Sequence, residues 1–217
     1  MYLRRAAEIN DYIISSSKEL LVAMGIPVLQ APAEGEAQAA RLNSDGLVYG
    51  VASQDYDTLL FGANRFIRNL NTTNKRKVIR KGISSTILPE MIESKTCETA
   101  LGINREQLVL IAMLVGTDYN EGVMGIGPKK ALALVKKESK QEILKKYDFG
   151  SEHATEEIFD YFMDPNVKEI TDKPAIQSIN KDKLIDFLCS KHSFEEVRIN
   201  AYLGKMNKAE GSLFDYG

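Results

Sequence analysis

The segment GLVYGVAS, residues 46–53, constrains the fold more than any other stretch. It is almost continuously apolar, so it reads as a buried strand of the parallel kind, covered on both faces. Helical and strand patterns surround it. An amphipathic helix over 1–25 carries Ile9, Ile13, Leu20, Leu21 and Met24 near helical spacing and closes at Gly25. IPVLQAP, at 26–32, reads as a short strand, and 33–44 as a helix entered after Pro32. RFIRNL and KVIRKGI read as further strands on either side of the polar link NTTNKR. This alternation predicts an α/β class.

NREQLVLIAMLVGT, at 104–117, is predicted as a helix buried nearly all round, because Leu108–Val115 are consecutive apolar residues. Beyond residue 118 the strand signal ends. GPKKALALVKK, KQEILKKY, EEIFDYFM and KDKLIDFL read as helices separated by Gly, Pro and Asn. The expected organisation is therefore 1–118 as α/β core, 119–208 as an all-α domain and 209–217 as a tail.

At 217 residues and 44% apolar, the chain can bury a sizeable core. No apolar stretch reaches the roughly 18 residues of a membrane span, and no signal-peptide pattern opens the chain, so no membrane partner is expected. Cys97 and Cys189 lack paired spacing, and His153 and His192 are far apart. A disulfide framework, a zinc cluster and a histidine triad are all disfavoured. The net charge of −2 conceals segregation: Arg65 to Lys81 contains seven Lys/Arg and no acid. Such a run is either a solvated hairpin or the seat of a polyanion.

The acids gather at three places. Glu34 and Glu36 flank Gly35 after the predicted first strand, Asp55 and Asp57 follow the second, and Asp118 ends the apolar helix. Each has an ordinary reading, as a helix-dipole, turn or cap residue. Ligands of open α/β sheets sit at the carboxyl ends of strands, where the first two pairs fall. Five carboxylates converging there require cations, and oxygen ligands without nearby His or Cys favour Mg²⁺ or Mn²⁺. Two such ions suit phosphodiester hydrolysis. A second site is expected in GVMGIGPKKALALV, at 122–135, where Gly122, Gly125 and Gly127 precede a helix start and Lys129 and Lys130 add charge for phosphate.

APAEGEAQ, SQDYDTLLFG and GTDYNEGVMGIGPKKA, in this order, resemble the flap endonuclease family of structure-specific 5′-nucleases, and its archaeal branch in particular. EEIFDYFMDPNV and KLIDFL match more loosely. The resemblance implies a partial PIN-like nuclease sheet with flanking helices, followed by an all-α helix-two-turn-helix domain. It implies that Glu34 and Glu36 help hold one metal ion, and Asp55, Asp57 and Asp118 the second. All five would be catalytic as metal ligands, with Mg²⁺ as cofactor and Mn²⁺ able to substitute. The 122–135 hairpin would grip one duplex arm around a K⁺ ion. The implied activity is cleavage of flap or branched DNA in replication and repair. The implied location is the cytoplasm, or the nucleus in a eukaryote.

Family members carry an N-terminal half with further metal-binding aspartates, a gateway helix and an arch, and none of these motifs stands here. A split enzyme completed by a separate N-terminal polypeptide is the expectation, with a deliberately shortened chain as its competitor. EGSLFDYG resembles a degenerate sliding-clamp peptide, with Leu213, Phe214 and Tyr216 as the contact residues. Two rival functions stand beside this one. Strand plus DYDTLL, Asp55 to Thr58, resembles the haloacid-dehalogenase phosphatases, whose first aspartate is phosphorylated. A non-catalytic junction-binding or clamp-tethering subunit is the other.

Overall fold

The computed structural model describes residues 9–70, 77–80, 83–150 and 154–213, with 77–80, 83–86 and 205–213 as backbone only. The chain forms two compact units. One is built from the N-terminal segment up to Leu29 and the segment from Pro174 onward, the other from Gln30–Lys173.

The smaller unit opens with helix α1 (Asp11–Ala23), started by Asn10, whose side chain accepts from the Ile13 N–H. Gly25 (φ 74°) ends it in the left-handed region. A Cβ at Gly25 would lie 2.1 Å from the Gln177 carbonyl oxygen, so the returning chain packs directly on this backbone. The 26–32 segment forms no strand. Pro27 and Pro32 remove two of the donors that a ladder needs.

The larger unit begins with α2 (Gly35–Ser44) and the short strand β1 (Val51–Ala52), followed by α3 (Asp57–Leu60) and β2 (Arg65–Arg68). β1 pairs in parallel with β2 (Val51↔Phe66), as expected. Only Val51–Ala52 of the expected 46–53 strand forms, with Ala52 exposed and Tyr49 67% exposed, so the segment is not covered on both faces. β2 then pairs antiparallel with β5 (Glu90–Glu93). The strands β3 (Lys77–Arg80) and β4 (Ile83–Thr86) form their own two-stranded sheet, so the partner of β2 lies beyond the basic run. The sequence pattern missed β5 and the following helix α4 (Ser94–Leu101).

Helix α5 (Arg105–Val115) has a full capping box between Asn104 and Gln107. Val109, Leu110, Met113 and Leu114 are buried, whereas Val115 is 39% exposed, so one flank is more open than its unbroken apolar run implies. The same core continues through α6 (Pro128–Val135), α7 (Lys140–Lys146) and α8 (Thr155–Met163). The expected break at 118/119 is therefore not a break in packing. Met113 and Leu114 share one apolar cluster with Ile126, Val135, Phe159 and Phe162. Arg105 also staples it, its Nε donating to the Leu60 carbonyl at 2.9 Å and its Nη2 to that of Phe162 at 2.6 Å.

The chain returns to the smaller unit with α9 (Lys181–Ile185), a π-helical turn over Asp186–Lys191 and α10 (Glu196–Leu213). Ala23, Leu184, Ile199 and Leu203 form its core. Among the described residues, no helix is long and apolar enough to cross a membrane.

Candidate metal centre

The acids reach one locality from three segments of the larger unit. Glu34 is the N-cap residue of α2, but its side chain caps nothing, so it remains available for another role. Glu36 sits in the first turn of the same helix. Asp55 lies between β1 and α3, and Asp57 is the first residue of α3. Asp118 projects from the turn after α5.

Asp55, Asp57 and Asp118 each bring a carboxylate oxygen within 4.8 Å of the other two. Three like charges at this spacing repel unless protonated or bridged by a cation. The half-buried Asp57 bears the strain. Burial first, then Asp55, Asp118, Glu36 and Glu34, push its carboxyl up to about 6. Glu34 and Glu36 are thus felt electrostatically at Asp57 but stand outside the three-oxygen group. The donor set is all carboxylate oxygen, which fits a hard divalent cation.

Local hydrogen bonds fix the geometry. The Ser53 hydroxyl donates to Glu36 Oε1 at 3.2 Å and accepts the Asp55 N–H at 3.1 Å, joining two acidic segments. Asp55 Oδ1 accepts the Asp57 N–H at 3.0 Å. The Asp118 turn is held by buried Asn120. Its Oδ1 accepts from the Thr117 hydroxyl at 2.7 Å, and its Nδ2 donates to the Met113 and Phe149 carbonyls at 2.7 and 3.3 Å. Two residues absent from the sequence expectations complete the site. The phenols of Tyr119 and Tyr161 lie 3.0 and 3.1 Å from Glu34 Oε1. They sit inside the quoted motifs, yet nothing in their spacing links them to Glu34.

Beside the cluster, the Arg68 guanidinium lies 4.2 Å over the ring of Tyr56 and donates to its hydroxyl. Arg65 is 3.4 Å from Glu93. The other basic residues of that run have no described side chain. Thr58 is fully buried, and an aspartyl-phosphate reading leaves Glu34 and Glu36 without a role.

The glycine hairpin follows Asp118 directly. Gly122 (φ 84°) packs where a Cβ would lie 2.5 Å from the Val115 carbonyl. Gly125 is also left-handed, at φ 77°, and open space surrounds its Cα. Gly127 is the N-cap of α6 with Pro128 behind it, and no side chain caps the first-turn N–H groups. Lys129 and Lys130 are exposed there. Leu213 falls at the end of α10 with no described side chain, and Phe214 and Tyr216 lie outside the described residues.

Residues 25–118 match the XPG I-region family. With the sheet and the carboxylates, this match defines the class by its architecture: the 5′-nuclease fold. "Flap endonuclease 1" of Sulfolobus acidocaldarius is 44% identical over 96% of this chain and 61% of its own length. That of Staphylothermus marinus is 46% identical, over 96% and 60%. The solved flap endonuclease-1 of Methanococcus jannaschii superposes with a TM-score of 0.75 at 36% identity, over 94% of this chain and 60% of that one. The chain is similar to flap endonucleases in sequence and in fold, and spans about three fifths of the length of these relatives. The Rad2 catalytic core, solved with DNA substrate, shares the fold at 22% identity and a TM-score of 0.72, over 92% of this chain and 69% of that one.

Proposed function

We propose that this chain carries the greater part of the metal centre and the duplex-gripping segment of a structure-specific DNA endonuclease acting on flap or branched DNA. The observation that carries this reading is the approach of Asp55, Asp57 and Asp118 within 4.8 Å, with crowding and burial pushing the Asp57 carboxyl up to about 6. These three carboxylates would hold one divalent ion, and Glu34 and Glu36 would help hold a second. Mg²⁺ is the ion of choice, with Mn²⁺ able to replace it. Bound there, divalent cations supply Lewis-acid polarisation of the phosphodiester and activation of the attacking water.

The protein's own groups do the rest. Ser53 and the Asp55–Asp57 backbone turn keep the carboxylates convergent. The uncapped N–H groups of α6, with Lys129 and Lys130, provide a seat for duplex phosphates. The turn at Gly125, whose carbonyl accepts from the Lys130 ammonium at 3.4 Å, is the proposed position of K⁺, which would have to displace that contact. The tail residues Leu213, Phe214 and Tyr216 are proposed to bind a sliding clamp, and Leu213→Ala with Tyr216→Ala should abolish that affinity. A DNA-processing role of this kind places the protein in the cytoplasm, or in the nucleus of a eukaryote.

The test is cleavage of a labelled flap substrate with Mg²⁺, with and without a polypeptide covering the remaining two fifths of a relative. Incision at the junction, lost in Asp57→Asn, is the expected result. Duplex binding without incision in either mixture overturns the nuclease reading in favour of a binding subunit.

A further inference from the structure

Glu34 Oε1 is one corner of a triangle of oxygens. The Tyr119 and Tyr161 phenols stand 3.0 and 3.1 Å from it and 2.9 Å from each other. An ionised carboxylate brings no proton, so two phenol protons must serve three short contacts, and Glu34 can only accept.

The rings are anchored by the core rather than by solvent. Their centroids are 4.6 Å apart, Tyr119 packs edge-on against Phe162 at 5.7 Å, and Tyr161 packs against Phe61 at 5.8 Å. Tyr119 adjoins Asp118 in the turn held by Asn120, whereas Tyr161 comes from α8. Since Glu34 does not cap α2, these phenols are what orients it. Glu36 has its own orienting donor in Ser53.

We infer that Tyr119 and Tyr161 are positioning residues for Glu34: by occupying Oε1 from a rigid aromatic corner, they leave Oε2 presented to a cation in the same locality as Asp118. This rests on the metal-centre reading and adds to it a pair of side chains that touch neither ion nor DNA. Removing a group that orients a ligand without touching the metal typically costs about 10- to 100-fold in metal affinity.

The test uses the whole chain without DNA. Mn²⁺ binding is titrated by electron paramagnetic resonance of the free ion, and melting in EDTA is measured alongside. Tyr119→Phe and Tyr161→Phe keep the ring packing and remove only the donors. Each should weaken Mn²⁺ binding, and the double variant should weaken it about 10- to 100-fold, with the EDTA melting temperature unchanged. If the double variant does not fold, Tyr119→Phe alone carries the test. Unchanged affinity overturns the inference. So does a loss of affinity matched by a loss of stability in EDTA, because the phenols would then hold the fold rather than the carboxylate. If the unsubstituted chain binds no Mn²⁺ at all, the metal-centre reading itself fails and takes this inference with it.

Discussion

The carboxylate cluster and the glycine hairpin adjoin each other in the chain but are assembled differently. The hairpin is local in its turns, which Gly122, Gly125, Gly127 and Pro128 dictate within one short segment, and two exposed lysines supply its charge. Its start is tied elsewhere, by the Gly122 N–H donating to the Phe149 carbonyl at 3.2 Å. The cluster is tertiary. Its acids come from three segments, and the groups that aim them, Ser53, Asn120, Tyr119 and Tyr161, reach across the fold. A local device should fail by degrees, one contact at a time. A converged device should fail as a unit.

Substitution at the cluster gives the largest expected effect and the sharpest form of this contrast. Asp57→Asn or Asp118→Asn should lower Mg²⁺-dependent cleavage by about three orders of magnitude, because several kcal/mol of transition-state stabilisation depend on the site. Duplex affinity measured in EDTA should stay where it was. Equal losses in both assays would erase the distinction between the two regions.

Next in size is a purely structural effect in the hairpin. Gly122→Ala meets the Val115 carbonyl and requires a left-handed alanine. It should cost about 2–4 kcal/mol in denaturant unfolding. Gly125→Ala, with the same sign of φ but open space, should cost about 1 kcal/mol. Similar costs at both positions would mean that backbone strain alone governs the turn.

Smaller still is the effect of charge at the helix start. Replacing Lys129 and Lys130 by Ala should weaken duplex binding about tenfold and reduce the salt slope by about 2. Cleavage at saturating substrate should be unaffected.

The smallest expected effect is in pH dependence. Asp57 titrates at about 6 in the fold, above its ordinary value. A raised carboxyl contributes stability that is full below about 4 and is lost as pH rises through about 6. Discounted for solvent screening, that is about 1 kcal/mol. The ion-free chain should therefore melt slightly lower at pH 7.5 than at pH 5. Added Mg²⁺ should reverse the order, since it needs the carboxylate ionised.

The same contrast explains what could be read from the sequence. The parallel strand, α2, α5, α6 and all five acids stand out by residue type and spacing, and the structure brings Asp55, Asp57 and Asp118 within one ion's reach. β5 and α4 did not stand out, because EMIE shows no apolar alternation and is fixed by pairing with β2, and SKTCETAL is short and buries none of its residues. The strand expected at 26–32 failed on its prolines. The expected boundary at 118 followed a change from mixed to helical pattern, whereas packing continues through it because Met113 and Phe159 share a core. Tyr119 and Tyr161 are ordinary aromatic residues in sequence. Only the folded chain sets their hydroxyls on Glu34.

The buried amide of Asn120 has one more implication. It binds the carbonyl of Met113, on the helix entering the hairpin, and that of Phe149, beyond its exit, while bracing the loop that presents Asp118. The segment proposed to seat a nucleic-acid arm and the acid a few residues away are thus tied to the same buried side chain. On the proposed reading, the seat for a nucleic-acid arm and the aim of the acid share one brace, and loosening it at Asn120 would disturb both.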